Sequence, residues 1–242
     1  MRNRIALLLP FALLAPCGCA NETPYATTVG VLSPGATMTV RVTDATLNAF
    51  QPAAGQPRDR FTVEAVAAAG TSPPSAPRLR AFPNAGVTVV ADARLADLLV
   101  RVPDGVNLVV DSRRGDVHVT DITGNARVVA DAGDVDAMVP GYAQARVGRG
   151  NIRVTMGSTG WPGTLHFFTG QGNIQVWVNE NAAFSVHLYT ASGTLFTDFD
   201  LRGTSRNGSE TIDGRVNGGG EHRIDIETSA GTIRLLRLHP QA

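Results

Sequence analysis

The sequence predicts an all-β fold, a single-stranded, right-handed β-solenoid or β-helix-like stack with turns of about 17–22 residues. Three observations support this prediction: glycine recurs in one local frame, apolar and polar residues alternate around it, and no segment shows a sustained helical stripe. The gaps between the glycines are 18, 17, 22, 21 and 38 residues, the last being about two turns, and the glycines are Gly115, Gly133, Gly150, Gly172, Gly193 and Gly231. Such a period with β-type alternation is typical of stacked-strand solenoids.

Two columns of apolar residues keep a constant distance from these glycines. The residues two positions after the glycines are Val117, Val135, Ile152, Ile174, Leu195 and Ile233. The residues five positions before them are Val110, Val128, Ala145, Phe167, Leu188 and Ile226. Because side chains on a strand alternate between two faces, both columns are predicted to point inward and the columns between them outward. Each turn then buries its apolar face against the next turn, about 4.8 Å away.

The residue after each glycine is small and polar, in the order Asp116, Asp134, Asn151, Asn173, Thr194 and Thr232. Glycine adopts backbone angles that other residues resist, and Asp, Asn and Thr side chains bond to nearby backbone at bends. We therefore place these pairs at the corners of the solenoid. The tripeptide Arg114-Gly115-Asp116 matches an integrin-binding motif, but its place in the repeat favours a structural role.

The composition excludes several classes of protein. The 242 residues carry no formal net charge, and removal of an N-terminal signal with its two arginines leaves 19 basic and 21 acidic residues. This balance provides no field for phosphate groups, so we expect no nucleic-acid partner. The only cysteines are Cys17 and Cys19, so no disulfide and no cysteine-based metal site is expected in the fold. We expect no cofactor.

Residues 1–19 are predicted to be an export signal. Arg2 and Arg4 precede an apolar run from Ile5 to Leu14, which is shorter than the ~20 residues of a membrane-spanning helix. Gly18-Cys19 resembles the end of a bacterial lipobox, although Pro16 stands where leucine is usual, and Cys19 is therefore the candidate lipidation site. The alternative is a cleaved secretory signal without a lipid. Both interpretations predict export.

The rest of the chain divides into a tether and one domain. Residues 20–35 are mostly small or polar and are predicted to be a tether, and residues 36–242 form the solenoid domain. Residues 36–84 and 236–240 are the candidate caps for the two open ends. Residues 203–220 contain three turn pairs and are predicted to form a protruding hairpin or mobile loop in place of the missing turn.

Two stretches resemble a known family. Val102-Pro103-Asp104-Gly105-Val106 is similar to the start, and the segment 218–233 to the final turn, of the bacterial "putative adhesin" domain. The resemblance covers residues 85–238 and, more loosely, 36–238. It implies a β-solenoid of the cell envelope and brings no catalytic residues.

Histidine and aromatic residues mark one candidate binding surface. His166 and His187 share an outward column on turns predicted to be neighbours, Phe168 and Tyr189 share the next outward column, and Trp177 lies on the following strand. The cluster could stack on sugars, form a weak two-histidine metal site, or be a cross-strand ladder without a ligand, covered by the 199–220 loop. We assign these five residues to ligand binding and predict no metal.

An enzyme is the weaker alternative. Some β-helix proteins cleave acidic polysaccharides with clustered carboxylates, calcium and an arginine, and the candidates here are Asp134, Asp136 and Arg153. No metalloprotease, hydrolase-elbow, phosphate-loop or calcium-repeat motif is present in the sequence. We therefore expect a non-catalytic, adhesin-like envelope protein, exported and membrane-anchored at the cell surface or in the periplasm. Its partner would be an envelope glycan or a surface protein. A sensor or accessory subunit acting through a membrane partner is the second hypothesis, and a polysaccharide-active enzyme the third.

Overall fold

The computed structural model describes residues 24–67, 75–82 and 86–239, and all regular secondary structure in these ranges is β-strand. The signal segment and Cys19 lie outside the described residues. The first strands are β1 (Ala26–Val31), β2 (Thr37–Phe50), β3 (Arg60–Val66), β4 (Arg78–Phe82), β5 (Gly86–Arg101), β6 (Asn107–Ser112), β7 (Val117–Thr120), β8 (Ala126–Ala132), β9 (Val135–Val139) and β10 (Ala143–Arg149). The others are β11 (Ile152–Met156), β12 (Thr164–Gln171), β13 (Ile174–Asn179), β14 (Phe184–Thr190), β15 (Leu195–Thr197), β16 (Gly203–Arg206), β17 (Ser209–Val216), β18 (Arg223–Ala230) and β19 (Ile233–Leu238).

The strands form two sheets that enclose one apolar core. The front sheet has the order β4-β5-β2-β6-β8-β10-β12-β18-β14-β17-β16. The back sheet has the order β1-β3-β5-β2-β7-β9-β11-β13-β19-β15. The long strands β2 and β5 bend at the corner and run through both sheets. Since the core lies between the sheets, their outer faces point to opposite sides of the molecule.

The repeat in the sequence is the repeat of the structure. Parallel partners such as Val110 and Val128, or Ala145 and Phe167, are one turn apart and directly opposite each other. Both predicted inward columns lie in the core except Leu195, which is half-buried at the end of the stack. The prediction of an all-β solenoid is therefore confirmed.

The polar residues after the glycines lie at the corners, as predicted, and they also form a ladder from turn to turn, which the sequence analysis did not predict. The carboxylate of Asp116 accepts the backbone N–H of Asp134 at 2.8 Å, and Asp134 accepts that of Asn151 at 2.8 Å. Asn151 accepts the backbone N–H of Asn173 at 2.9 Å, and Asn173 accepts that of Thr232 at 2.8 Å. Each side chain thus pairs a backbone donor of the next turn, which fixes the register of the stack.

A second ladder lies inside the corner. Thr169, Thr190 and Thr228 are buried, with at most 1% exposure. Each hydroxyl donates to a corner glycine carbonyl, and the three bonds are Thr169 to Gly150 at 2.8 Å, Thr228 to Gly172 at 3.1 Å and Thr190 to Gly231 at 3.1 Å. The carbonyls of these three corner glycines are thus paired with buried hydroxyl groups.

The order of the last turns differs from the order of the chain. Strand β18 pairs with both β12 and β14, and β19 pairs with both β13 and β15. The final turn is therefore inserted between two turns that precede it in sequence, and the prediction that His166 and His187 lie on neighbouring turns is wrong. The physical reason is that β14 has two hydrogen-bonding edges. Antiparallel β17 pairs with one of them, so only the other edge, which faces β12, is left for β18.

The two ends of the stack close differently from the prediction. At the amino end, β3 and β4 pair antiparallel with β5 and form a cap, but β2, which also falls in the predicted cap of residues 36–84, lies inside the stack between β5 and β6. Strand β1 extends that cap although it lies inside the segment expected to be a tether, because Ala26–Val31 pairs with β3. At the other end, residues 236–238 are not a cap, since β19 lies inside the back sheet. Pro240 lies outside the described residues.

Candidate functional site

The outer face of the front sheet carries a column of alternating histidine and aspartate. His166, Asp225, His187 and Asp213 stand opposite one another on β12, β18, β14 and β17. His187 Nδ1 lies 2.7 Å from the carboxylate of Asp213, and His166 Nδ1 lies 3.7 Å from that of Asp225. Arg223 Nε contacts the same Asp225 carboxylate at 2.6 Å. Each imidazole therefore has a carboxylate neighbour.

The adjacent outward column is aromatic and acidic. Arg146, Phe168, Glu227, Tyr189 and Thr211 are successive partners on β10, β12, β18, β14 and β17. The Arg146 guanidinium carbon lies 4.7 Å from the centre of the Phe168 ring, which is a cation–π contact. Because one strand separates Phe168 from Tyr189, their backbones are about 9.6 Å apart, twice the strand spacing.

Strand alternation explains why these side chains meet. In Leu165-His166-Phe167-Phe168, the first and third residues are buried in the core and the other two face outward. Ile224-Asp225-Ile226-Glu227 on β18 has the same pattern. Their frames relative to the corner glycine are identical, so the two columns continue across the sheet without a bulge.

The predicted hairpin extends this face. Asn207 and Gly208 join β16 to β17 with φ values of 52° and 83°, as a two-residue hairpin turn with the right-handed twist of the strands requires. The hairpin pairs with β14 along its whole length and places Asp213 beside His187. It widens the front sheet at its edge and does not lie over His166 or Tyr189.

Trp177 is separated from the other four predicted residues. It lies on β13 in the back sheet, where its direct neighbours are Thr155 and Leu236. The corner between β12 and β13 turns the chain from one sheet to the other, so Trp177 faces the opposite side of the molecule. The structure thus brings together His166, Phe168, His187 and Tyr189, and leaves Trp177 out.

The geometry of the front face excludes one of the predicted binding modes and favours another. Asp225 stands between the two histidines, so they do not form the adjacent pair that a two-histidine metal site needs. In the part of the chain that the structure describes, no group of three or more His, Cys, Asp or Glu residues could hold a metal ion. Two half-buried aromatic side chains, two carboxylates and the tyrosine hydroxyl instead suit a ligand rich in hydroxyl groups.

The sequence analysis missed several residues of this face. Asp225 and Glu227 lie six and four residues before Gly231, the same distances as His166 and Phe168 from Gly172. The frame could therefore have placed them in these columns. Their position between the two histidine strands was not predictable, because the glycine spacing does not give the order of turns in space.

The alternative cluster around Asp134 lies on the back side of the corner. A groove of about 370 Å³ is bordered by Asp134, Asp136 and Arg153 together with His118 and Gln175. The Asp134 carboxylate accepts two amide contacts from the Asn151 side chain at 3.2 Å, and Asp136 pairs with Arg153 at 3.4 Å. These carboxylates serve the corner ladder and a surface ion pair.

Comparison with known proteins identifies the family of this chain. The family model described as Toastrack DUF4097 matches residues 100–236. The chain belongs to the Toastrack DUF4097 family. No curated protein matches. Among solved structures, the chain is similar to a putative cell adhesion protein from Clostridium sporogenes ATCC 15579, with a TM-score of 0.46 and 8% sequence identity. That match covers 88% of this chain and 99% of the other.

The Toastrack match contains the front-face columns and the corner ladder. It begins at the end of β5 and ends within β19, so β1 to β4 form an amino-terminal addition that the family model does not include. Among the described residues, no helix is long and apolar enough to cross a membrane.

Asp104, four residues into the Toastrack match, joins that addition to the solenoid. Its carboxylate accepts hydrogen bonds from the Gln51 amide and from Arg58, and these contacts, the Gln51 bond first, hold the pKa of Asp104 below its ordinary value. At the other side of the same cap, partial burial raises the pKa of Tyr25, whose hydroxyl donates to the carbonyl of Ser75.

Proposed function

We propose that this Toastrack protein is an exported, non-catalytic protein of the cell envelope. A lipid on Cys19 holds it to a membrane, and the outer face of the front sheet binds an envelope glycan. The observation that carries the proposal is the pair of outward columns in which Phe168 and Tyr189 flank Glu227 beside His166 and His187.

The spacing of these groups favours an extended β-1,4-linked polysaccharide. Alternate sugars of such a chain present the same face, and their separation is comparable to the ~9.6 Å between strands β12 and β14. An aromatic ring at each end of that interval can stack on a sugar face. Glu227 and Asp225 between them can accept hydrogen bonds from the hydroxyl groups. Arg146, which covers one face of Phe168, would move aside or contact an acidic substituent.

The contacts of the carboxylates on the front and back sheets support a non-catalytic role. Most enzymes that hydrolyse polysaccharides use two carboxyl groups that flank the scissile bond. Asp225 contacts Arg223 and His166, and Asp213 contacts His187. On the other side, Asp134 and Asp136 bond to Asn151 and Arg153.

The glycan proposal is tested by pull-down of the purified protein with insoluble peptidoglycan, a β-1,4-linked polymer. The double variant His166→Ala with Tyr189→Ala removes an imidazole and one of the two stacking rings. We expect its affinity to fall roughly tenfold or more, the equivalent of about 1.4 kcal/mol.

A matched variant controls for general effects of the substitutions. His118→Ala with Phe196→Ala removes an exposed histidine and an exposed aromatic ring from the back sheet. Its binding should equal that of the wild type. Equal binding by both double variants would remove the front face as the site, and a wild type that binds no peptidoglycan would remove this glycan class.

The location is tested on intact cells with a carboxy-terminal tag and added protease, beside a Cys19→Ala control. Digestion on intact cells supports a surface-exposed binding protein. Protection until the envelope is opened would exclude adhesion and favour the alternative, a periplasmic sensor or accessory subunit acting through a membrane partner. Loss of membrane association in Cys19→Ala supports the lipid anchor.

A further inference from the structure

The back sheet carries the large exposed hydrophobic residues of the described part of the chain. Among the described residues, four large hydrophobic side chains are exposed: Val29 at 56%, Val31 at 62%, Met138 at 51% and Phe196 at 53%. All four point outward from the back sheet, since their strand neighbours on either side face the core or the sheet edge. Single exposed hydrophobic residues are ordinary on proteins, but their confinement to one face is not.

The strand register aligns two of these residues, Val29 and Met138, with others in one column. We call this column the apolar stripe. From β1 to β19 its members are successive cross-strand partners: Val29, Thr62, Arg101, Phe50, Thr120, Met138, Thr155, Trp177 and Leu236. Nine strands at the usual spacing make a stripe about 38 Å long and one side chain wide.

The stripe contains one charged residue. Arg101 is two-thirds buried, its guanidinium carbon lies 5.9 Å from the centre of the Phe50 ring, and it pairs with Glu64 at 3.7 Å. Its charge is therefore compensated within the same face. The remaining members are apolar side chains and threonines, which an apolar or interfacial environment accepts at low cost.

The start of the chain indicates what covers the stripe. Strand β1, where the stripe begins, starts at Ala26, and the backbone N–H of Tyr25 already bonds to Ala65. Six residues separate Cys19 from Ala26, and six extended residues reach about 20 Å. A lipid on Cys19 would therefore hold the bilayer within reach of the edge strand from which the stripe extends.

We propose that the back sheet rests on the bilayer along the apolar stripe, with Trp177 and Met138 at the headgroup level. This inference rests on the lipid anchor proposed above. It leaves the front face, with His166 and Tyr189, pointing away from the membrane.

A bilayer fits the stripe better than a second copy of the chain does. A stable protein interface buries about 800 Å² on each partner, and one side of the stripe is bordered by a column that includes the charged residues Asp136, Arg153 and Arg234. A narrow stripe is nevertheless sufficient for a protein that is already anchored, because the anchor supplies a high local concentration. Tryptophan, with an apolar ring and one N–H, is suited to the membrane interface.

The two tryptophans of the chain provide the experiment. Trp161 is 3% exposed and donates from Nε1 to the carbonyl of Arg223, whereas Trp177 lies on the stripe. The lipidated full chain is reconstituted in phosphatidylethanolamine and phosphatidylglycerol vesicles with and without brominated acyl chains, which quench nearby tryptophan. Subtracting the emission of Trp177→Phe from that of the wild type isolates the emission of Trp177.

We expect brominated lipid to reduce the Trp177 emission at least twofold and to leave the emission of Trp177→Phe unchanged. Met138→Asp, which places a charge in the middle of the stripe, should restore most of the lost emission. Trp177→Phe also tests folding, because its circular dichroism should match that of the wild type.

The outcomes separate the anchor from the orientation. Protein that does not float with the vesicles overturns the anchor and the orientation together. If the protein floats with the vesicles but brominated lipid does not change the Trp177 emission, the orientation alone is overturned. If the Trp177 emission changes with the density of protein in the vesicles and not with bromine, the stripe contacts a second copy of the chain. This result would also overturn the proposal.

Discussion

The side-chain oxygen of Asn173 accepts the backbone N–H of Thr232 at 2.8 Å, although 59 residues of chain separate the two. This bond is the step of the corner ladder at which the final turn enters the stack. The insertion pairs β18 with both β12 and β14, so that Asp225 and Glu227 lie between the histidine and aromatic side chains of two earlier turns. The composition of the proposed binding face therefore depends on the non-sequential order in which these turns stack.

The corner glycines are predicted to be the most sensitive positions of the stack. Gly172 has φ of 147°, and a Cβ at this position would collide with the backbone carbonyl of Gly150. Gly172→Ala should lower the free energy of unfolding by more than ~2 kcal/mol, because backbone of the adjacent turn must move. Urea denaturation followed by circular dichroism measures the change.

Gly163→Ala is the control for backbone strain alone. Gly163 has φ of 63° and no atom within 4 Å of an added Cβ. Gly163→Ala should lower the free energy of unfolding by ~1–2 kcal/mol, the strain of an alanine in the left-handed region. Equal costs for the two variants would show that turn-to-turn contact contributes nothing at the corner.

The buried threonine ladder is predicted to stabilise the last turn. Thr228→Val keeps the size of the side chain but removes the hydroxyl that donates to Gly172. We expect the free energy of unfolding to fall by about 1–3 kcal/mol, since a buried carbonyl loses its side-chain partner. The change is read from the shift of the urea midpoint at constant slope.

Thr120→Val makes the same chemical change at an exposed position of the back sheet. It should alter stability by less than ~0.5 kcal/mol. A Thr228→Val midpoint within error of the wild type would mean that the hydroxyl is not needed to satisfy Gly172.

Asp104 is predicted to make stability depend on acid pH. Its pKa is lowered in the folded protein, the Gln51 hydrogen bond contributing first and Arg58 second. The stabilisation is therefore fully present above the ordinary pKa of 3.8 and is lost as the pH falls through the lowered folded value. Asp104→Asn should lower the melting temperature at neutral pH and flatten its decline as the pH falls below 3.8.

The expected effect of Asp104→Asn is modest because the carboxylate is partly exposed to solvent. Asp59→Asn removes an exposed charge from the nearby loop and corrects for the change in net charge. Differential scanning calorimetry over the acid range distinguishes the variants. If the melting temperatures of wild type and Asp104→Asn fall in parallel as the pH is lowered, Asp104 is not the source of the acid sensitivity.

Much of the fold could be predicted from the sequence because the repeat is local. The glycine frame, the apolar columns and the small polar residue after glycine each depend on strand alternation and corner geometry within about twenty residues. Asp134 and Asn151 lie at the corners where their positions placed them, and the hairpin at Asn207-Gly208 forms as its turn pair predicted. The extent of the amino-terminal cap was less predictable, because β1 pairs with β3 across 29 to 39 residues of chain.

The candidate site was predicted in part. His166, Phe168, His187 and Tyr189 share the front face, since a constant frame fixes which side of a sheet a residue faces. Trp177 does not, because the corner glycine turns the chain into the other sheet. Asp225 entered the site only with the insertion of β18.

The sequence by itself determined the period of the turns, the inward and outward sides of each strand, and the corners, because all of these follow from the geometry of a single turn. The tertiary structure alone decided the order in which turns stack, and with it the neighbours of His166 and the pairing of Trp177 with Leu236. The physical reason is that any turn of this repeat presents the same backbone edge to its neighbours. Which turns meet is therefore settled by the hairpin on β14, which blocks one edge and leaves the other to the end of the chain.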